Sequence, residues 1–261
     1  MKDRYGDVSV GLMKHVALVE IHRPPHNFFD HDLICDIADA FEALDEEMDC
    51  RSIMLASEGK SFCAGANFQN RNAETDDNPA KIAANPLYAE AVRVFACKKP
   101  VVAAVQGAAI GGGFGLAMAA DFRVACPEAR FAANFVRLGI HPGFGLTHTL
   151  PRLIGVQKAS LMFYTGRRIN GETALEMGVA DVLTSKESLR DEAFALASEI
   201  AEGAPLALMS TRATMRQGLA DAVKAQTDHE FAEQERLFST EDHREGVLSV
   251  TERRPGIFFG K

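Results

Sequence analysis

Hydrophobic and polar positions along the chain follow two alternating periods. Val16 to Ile21 (VALVEI) is a run of strand formers. Between residues 30 and 48, Leu33, Ile34, Ile37, Phe41, Leu44 and Met48 recur at helical spacing, and Asp30 stands where a side-chain oxygen can cap the first turn. Ile53 to Ala56 reads as a short buried strand. The polar stretch from Gln69 to Asn85, which contains QNRNAETDDNP, has nothing to build a core and predicts a mobile loop of the kind that covers a site. A helix from about Pro86 to Cys97 ends before Lys98-Lys99-Pro100, and a strand follows at 101–105. This strand–helix–strand rhythm predicts an α/β protein with a parallel sheet and crossover helices. After about residue 185 the pattern is only helical, with helices expected at 186–202, 205–218, 221–238 and 241–253. A soft boundary near residue 200 separates the two regimes.

Composition narrows the class. The chain has 261 residues, 47% of them hydrophobic and 25% charged, which is ordinary globular usage and excludes global disorder. Its net charge of −8 argues against nucleic acid and anionic membrane as partners. The five cysteines (Cys35, Cys50, Cys63, Cys97 and Cys126) include no CxxC pair and read as free thiols of a reducing, cytoplasmic compartment. The first residues, MKDRYGDVSVGLMKH, are charged and do not resemble a signal peptide. Residues 101–120 (VVAAVQGAAIGGGFGLAMAA) are uncharged and long enough to span a bilayer. Their glycines, and the lack of a second such segment, favour a buried strand, a glycine turn and a buried helix.

Nucleotide-binding, zinc-protease and serine-hydrolase signatures (Walker A, GxGxxG, HExxH and GxSxG) are missing, and the histidines lack metal-ligand spacing, so no metal is expected. Two glycine-rich turns stand out instead. Ser61-Phe62-Cys63-Ala64-Gly65-Ala66-Asn67 follows the strand at 53–56, and Gly107-Ala108-Ala109-Ile110-Gly111-Gly112-Gly113 follows the strand at 101–105. Both lie at the carboxyl ends of expected parallel strands, where open α/β sheets bind ligands. The second opens a helix at 112–120. Side by side, the turns could aim two peptide N–H groups at one oxygen, an oxyanion hole. Equally, the glycines could serve only tight helix–sheet packing.

Five segments carry a resemblance. FCAGANF resembles F-x-A-G-A-D-[IL], and KPVVAAVQGAAIGGGFGLAMAADFRVA resembles a K-P-[VI]-I-A-A-[VI]-x-G-x-A-x-G-G-G-x-E-L-A pattern. RLGIHPGFGLTHTLPRLIG, YTGRRINGETALEMGVADVL and the tail ERRPGIFFGK match three further patterns in order. Together they resemble the enoyl-CoA hydratase/isomerase (crotonase) superfamily over nearly the whole chain. The resemblance implies a crotonase-like α/β fold, with repeated ββα units forming a spiral core (1–200) that binds acyl-CoA. A helical C-terminal region (201–261) would trimerise and close the pocket, giving a homotrimer or a dimer of trimers. Coenzyme A would enter as part of the substrate, with no tightly bound cofactor. The N–H groups of Ala66 and Gly112 would hold the thioester oxygen as an enolate-like charge develops. Arg23, Ala64, Gly65, Asn67, Phe68 and Gly111 would line the coenzyme A path, and Phe135 and Phe144, with Phe114, Phe28 and Phe29, the acyl pocket. Arg254 and Lys261 are candidates to meet the nucleotide phosphates.

The pattern departs from the superfamily at its chemistry. Family hydratases use two glutamates as general acid and base. Here those positions are Gly115 and Phe135, and neither can move a proton. The acidic position of some family isomerases falls at Gly143, and the acid of G-A-D is Asn67. Standard hydration is therefore doubtful. Isomerisation, thioester or C–C hydrolysis, decarboxylation, or a non-catalytic acyl-CoA-binding scaffold stay open. His141 is the nearest titratable replacement. Asn67 and Asn134 can orient water, and Arg137 could bind an acyl carboxylate or be a solvated charge. Cys63 reads as a buried small hydrophobe, His148 as a helix-surface or interface residue, and His26 as a loop residue near the pantetheine path. Glu74, Asp76, Asp77 and Glu90, in or beside the polar loop, are further carboxylates that could swing in.

Overall fold

VALVEI becomes the third strand of a seven-stranded sheet in a computed structural model that describes residues 1–66 and 86–261. In chain order the strands are β1 (Arg4–Tyr5), β2 (Val8–Met13), β3 (Val16–Ile21), β4 (Ser52–Ser57), β5 (Val101–Val105), β6 (Ala108–Ile110), β7 (Phe122–Ala125), β8 (Arg130–Ala132), β9 (Arg168–Asn170) and β10 (Val182–Leu183). β1, β2 and β3 form an antiparallel meander, and β3, β4, β5, β7 and β10 then run parallel. β6, β8 and β9 make a small second sheet.

β4 and β5 are buried on both faces, as parallel strands covered by helices must be. Ile53 and Leu55 face a core shared with α1 (His31–Asp45). Met54 and Ala56 face α7 (Leu189–Ala201) through Leu189, Ala193 and Ala197. The Asp30 carboxylate caps α1 by accepting from the Leu33 N–H at 2.9 Å. α1 ends at Asp45, and Met48, 79% exposed, lies past it in a turn closed by Cys50 N–H to the Glu47 carbonyl. The helical spacing overran there because one apolar residue on a solvated turn fits the period by chance. α2 (Pro86–Ala96) crosses over to β5. The uncharged segment 101–120 resolves into β5, β6 and the wholly buried α3 (Gly112–Ala119). Among the described residues no helix is long and apolar enough to cross a membrane.

A 3₁₀ turn at Asn134–Leu138 leads to α4 (Leu146–Ile154), α5 (Val156–Thr165) and α6 (Gly171–Met177). α8 (Pro205–Met215), α9 (Leu219–Phe238) and α10 (Glu241–Glu252) complete the chain. Arg212 on α8 and Arg216 just past it both pair with the Asp121 carboxylate, at 2.9 and 3.0 Å, and tie the C-terminal helices to the sheet. From α9, Tyr88 on α2 meets Gln234 at 3.0 Å, and the Glu230 carboxylate accepts from the N–H groups of Gly145 and Thr147 (2.8 and 3.0 Å) and from the Thr147 hydroxyl (2.5 Å). Glu230 thus satisfies open donors at the start of α4 and fixes the loop carrying Phe144.

Glu230 is fully buried, and desolvation outweighs those donors, pushing its carboxyl up to about 7 from 4.5. The folded state therefore binds this proton more tightly than the unfolded state. Its contribution is complete below pH 4.5 and lost as pH rises through 7. A rise of that size corresponds to about 3 kcal/mol. Urea unfolding of wild type and Glu230→Gln between pH 5 and pH 8 checks this. The stability advantage of wild type narrows with rising pH by up to about 3 kcal/mol, and a widening gap would mark Glu230 as an ionised cap.

Candidate active site

The two glycine turns pack against each other through their backbones. Cys63 N–H donates to the Ala108 carbonyl (2.9 Å), and Ile110 N–H donates to the Cys63 carbonyl (3.0 Å). A Cβ on Gly113 would lie 2.1 Å from the Cys63 carbonyl oxygen, and one on Gly65 would lie 2.8 Å from that of Ile110. Gly65 and Gly111 also have φ of +89° and +56°, which side chains resist. On its far side the first turn pairs with the segment before α1. Phe29 N–H donates to the Gly65 carbonyl (3.1 Å) and Ala64 N–H to the His26 carbonyl (2.9 Å). Asn27, buried, braces the same turn by donating to the carbonyls of Glu58 and Ser61, both at 2.8 Å. Gln106 donates to the Ser57 and Ser61 carbonyls, at 3.0 Å each.

This arrangement leaves two donors open. In the parallel bridge between Phe29 and Ala66 the Gly65 carbonyl accepts from Phe29, so the Ala66 N–H points to the other side. Gly112 opens α3, and its N–H has no intrahelical partner. Among the described residues neither N–H has an acceptor. A buried helix start without a side-chain cap calls for a ligand or water there.

Buried aromatic rings pack around these turns. The Phe29 ring lies where a Gly112 Cβ would be, at 2.3 Å, and packs on Phe144 with centroids 5.6 Å apart. Phe144, buried and at φ +62°, fills the space beside Gly115, where a Cβ would meet its own Cβ at 2.7 Å. The Phe135 ring and the Asn134 amide oxygen flank Gly111, 3.6 and 3.8 Å from where its Cβ would stand. At Gly143 a Cβ would fall 1.9 Å from the Tyr88 hydroxyl. Both glutamate positions are therefore apolar, and the isomerase position is occupied by Tyr88 and Gln234, residues that no sequence motif marked. Asn27, Gln106 and Glu230 were likewise unmarked, although N27 in a P-P-H-N turn was a visible signal for a braced loop.

The remaining candidates are dispersed. His141 Nδ1 donates to the Pro142 carbonyl (2.8 Å), which leaves Nε2 as the free base, but its ring packs edge-on against His229 of α9 at 5.8 Å. Arg23 is engaged by Asp7 and Asp30, at 2.5 and 2.7 Å. A phosphate there would compete with two carboxylates. Arg137 donates to the Thr165 carbonyl at 3.0 Å and braces α5. Glu90 pairs with Arg93, Arg254 with Glu245 and Glu252, and Lys261 lies 3.9 Å from Glu241. Cys63 is fully buried, which pushes its thiol up to about 12 and removes it as a nucleophile. His148 is half-buried on α4, and burial followed by the nearby Arg152 lowers its pKa. His26 packs at a tilt on Phe28 with centroids 5.2 Å apart, and Phe114 packs on Phe131 beneath α3. Asn67, Phe68, Glu74, Asp76, Asp77 and the polar loop lie outside the described residues.

A parallel sheet continued by a small second sheet, with two glycine turns meeting at the carboxyl ends of its strands, defines an α/β protein with its ligand site at that edge. The model of the enoyl-CoA hydratase/isomerase family matches residues 12–261, and the chain belongs to that family. A crotonyl-CoA hydratase of Syntrophomonas wolfei is 32% identical, covering 98% of this chain and 99% of its own. A probable enoyl-CoA hydratase of Bacillus subtilis is 29% identical over 97% of this chain and 99% of its own. The crystal structure of an enoyl-CoA hydratase/isomerase from Pseudoalteromonas atlantica superposes with a TM-score of 0.85 at 24% identity, covering 97% of this chain and 100% of that one. The fold is the crotonase fold, with a helical C-terminal region.

The packing of Phe144 makes a direct prediction. Gly115→Glu restores a carboxylate in sequence but drives it into Phe144, costing about 3 kcal/mol or more from overpacking and an unpaired buried charge. Thermal unfolding checks this: adding Phe144→Ala to the same chain recovers part of the loss, because it vacates the space.

Proposed function

We propose that the protein is an enzyme of coenzyme A thioesters that polarises the thioester carbonyl between the Ala66 and Gly112 N–H groups. The observation that carries this reading is the pair of open donors on turns locked together backbone to backbone. Two fixed N–H dipoles in a water-poor pocket stabilise an enolate-like oxygen more than the ground-state carbonyl, and so lower the barrier. Family membership and the names of the relatives support the acyl-CoA substrate. In the same proposal, Gly65 and Gly111 let the backbone approach the thioester, and Phe29, Phe135 and Phe144 hold the acyl chain. Residues 201–261 close the pocket and build a trimer.

Proton movement then follows a route other than paired glutamates, since positions 115 and 135 hold none. The Asn134 amide oxygen, 3.8 Å from where a Gly111 Cβ would stand, can orient a water or an acyl N–H or hydroxyl. His141 faces α9, so its substitution should cost little. A non-catalytic acyl-CoA scaffold is the second reading, favoured by the filled glutamate positions.

Gly112 is the first residue of α3, where proline fits the helix and removes only the N–H. Gly112→Ala and Gly112→Pro both press on Phe29, so their difference reports the N–H. With a panel of enoyl- and acyl-CoA substrates, Gly112→Pro falls about a hundredfold below Gly112→Ala in kcat/KM for whichever substrate turns over. Crotonyl-CoA itself is hydrated slowly, and His141→Ala leaves that rate within about twofold, whereas a role in proton transfer would cost about a hundredfold or more. Binding of acyl-CoA without turnover of any panel member would replace the enzyme reading with the scaffold.

A further inference from the structure

On the face of the main sheet that α7 covers, where β2 meets β3, lies a chain of hydrogen-bonded side chains that the glycine-turn site does not use. Ser9 on β2 and Glu20 on β3 are register partners, and His22 follows Glu20 by two positions, so the three share one face of the sheet. Glu58 stands one residue past β4. Ser9 Oγ lies 2.7 Å from His22 Nε2, and His22 Nδ1 lies 3.0 Å from Glu58 Oε2. A carboxylate only accepts, so Nδ1 carries the proton. The neutral imidazole then presents a bare Nε2, and the Ser9 hydroxyl donates to it. Nucleophile, base and orienting carboxylate are thus in the order and at the spacing that activate a serine.

A cation stands beside them. Arg190, at the start of α7, pairs with Glu20 directly across from Ser9 and donates to the Ser57 carbonyl at 3.1 Å. Among the described residues its Nε and Nη1 have no hydrogen-bond partner. With Arg190 48% and Glu58 55% exposed, the cluster is open to small solutes.

We propose that Ser9, His22 and Glu58 form a second catalytic site that hydrolyses small carboxylic oxygen esters, with Arg190 facing the developing oxyanion. Ser9 Oγ attacks the carbonyl carbon as its proton passes to His22 Nε2. The tetrahedral oxyanion collapses, the ester C–O bond breaks, and the leaving alcohol takes the proton from His22. Water then attacks the acyl-serine, giving its proton to Nε2. The acyl C–Oγ bond breaks, Ser9 recovers its proton, and the carboxylic acid leaves.

The probe is p-nitrophenyl acetate, read as nitrophenolate release and, after rapid acid quench, as the acetylated residue by peptide mass mapping. Wild type gives an acetyl group on Ser9. Ser9→Ala and His22→Gln each lower release by about a hundredfold, and Glu58→Gln by about tenfold, because an amide no longer fixes the imidazole tautomer. Circular dichroism and unfolding midpoints verify the folds. Ser9→Cys provides a check independent of stability, since acetyl capture moves to the thiol as a thioester that neutral hydroxylamine releases readily. Unchanged release in Ser9→Ala, or acetyl found only on lysines and the terminal amine, overturns the proposal.

Discussion

The site depends on one contact: backbone against backbone, Gly113 on the carbonyl of Cys63. With a Cβ at 2.1 Å from that oxygen, any side chain at 113 would push the turns apart. Gly107 is pressed on the Lys60 carbonyl in the same way, at 2.0 Å, and Gly65 on that of Ile110. A carbonyl oxygen inside a hydrogen-bonded bridge cannot swing aside as a side-chain tip can. The separation of the Ala66 and Gly112 N–H groups is therefore set by main-chain packing, and flexible side chains have little influence on it. Donors fixed in this way pay no reorganisation when charge develops in front of them.

Electrostatics along α3 point the same way. The helix carries no charged residue and is buried throughout. Beyond its last turn, Arg216 donates to the Ala119 carbonyl at 3.1 Å and Arg123 to the Ala120 carbonyl at 3.0 Å. These cations complement the negative end of the helix, while its positive end stays open at Gly112. The arginines are anchored in turn by Asp121 and Asp181. The C-terminal helices thus reach the site twice. Arg212 and Arg216 hold the far end of α3, and Glu230 holds the loop that places Phe144 beside Gly115.

Much of this organisation is legible in the residues. The Asp30 cap and the helical spacing of Leu33 to Leu44 locate α1, and the all-apolar runs at 53–56 and 101–105 locate strands with two buried faces. The glycines at 65 and 111–113 mark the turns because steric demand at a close approach leaves few other residues possible. Residues whose role depends on distant partners were not legible. Tyr88 reaches Gln234 across 146 positions, and Glu230 reaches Thr147 across 83. Both look like ordinary helix residues in sequence. Met48 was misleading for the opposite reason, being an apolar residue in phase with α1 and yet solvated. His141 was attractive by proximity in sequence to Phe135, but the chain turns at Gly139, φ +66°, and carries it toward α9.

The aromatic filling and the open donors are two sides of one design problem. A carboxylate placed among Phe29, Phe135 and Phe144 would be desolvated and held neutral, so it could donate a proton but not readily take one. In the proposed reading, the same apolar walls would limit water's competition for the Ala66 and Gly112 N–H groups, and a lower local dielectric would strengthen what those dipoles do to a thioester oxygen. A pocket of this kind loses acid–base capacity and gains carbonyl polarisation. On that reading, chemistry that needs an enolate-like charge but moves the substrate's own proton is the chemistry such walls would suit. The Asn134 amide oxygen, 3.8 Å from where a Gly111 Cβ would stand, would be a polar group beside such chemistry.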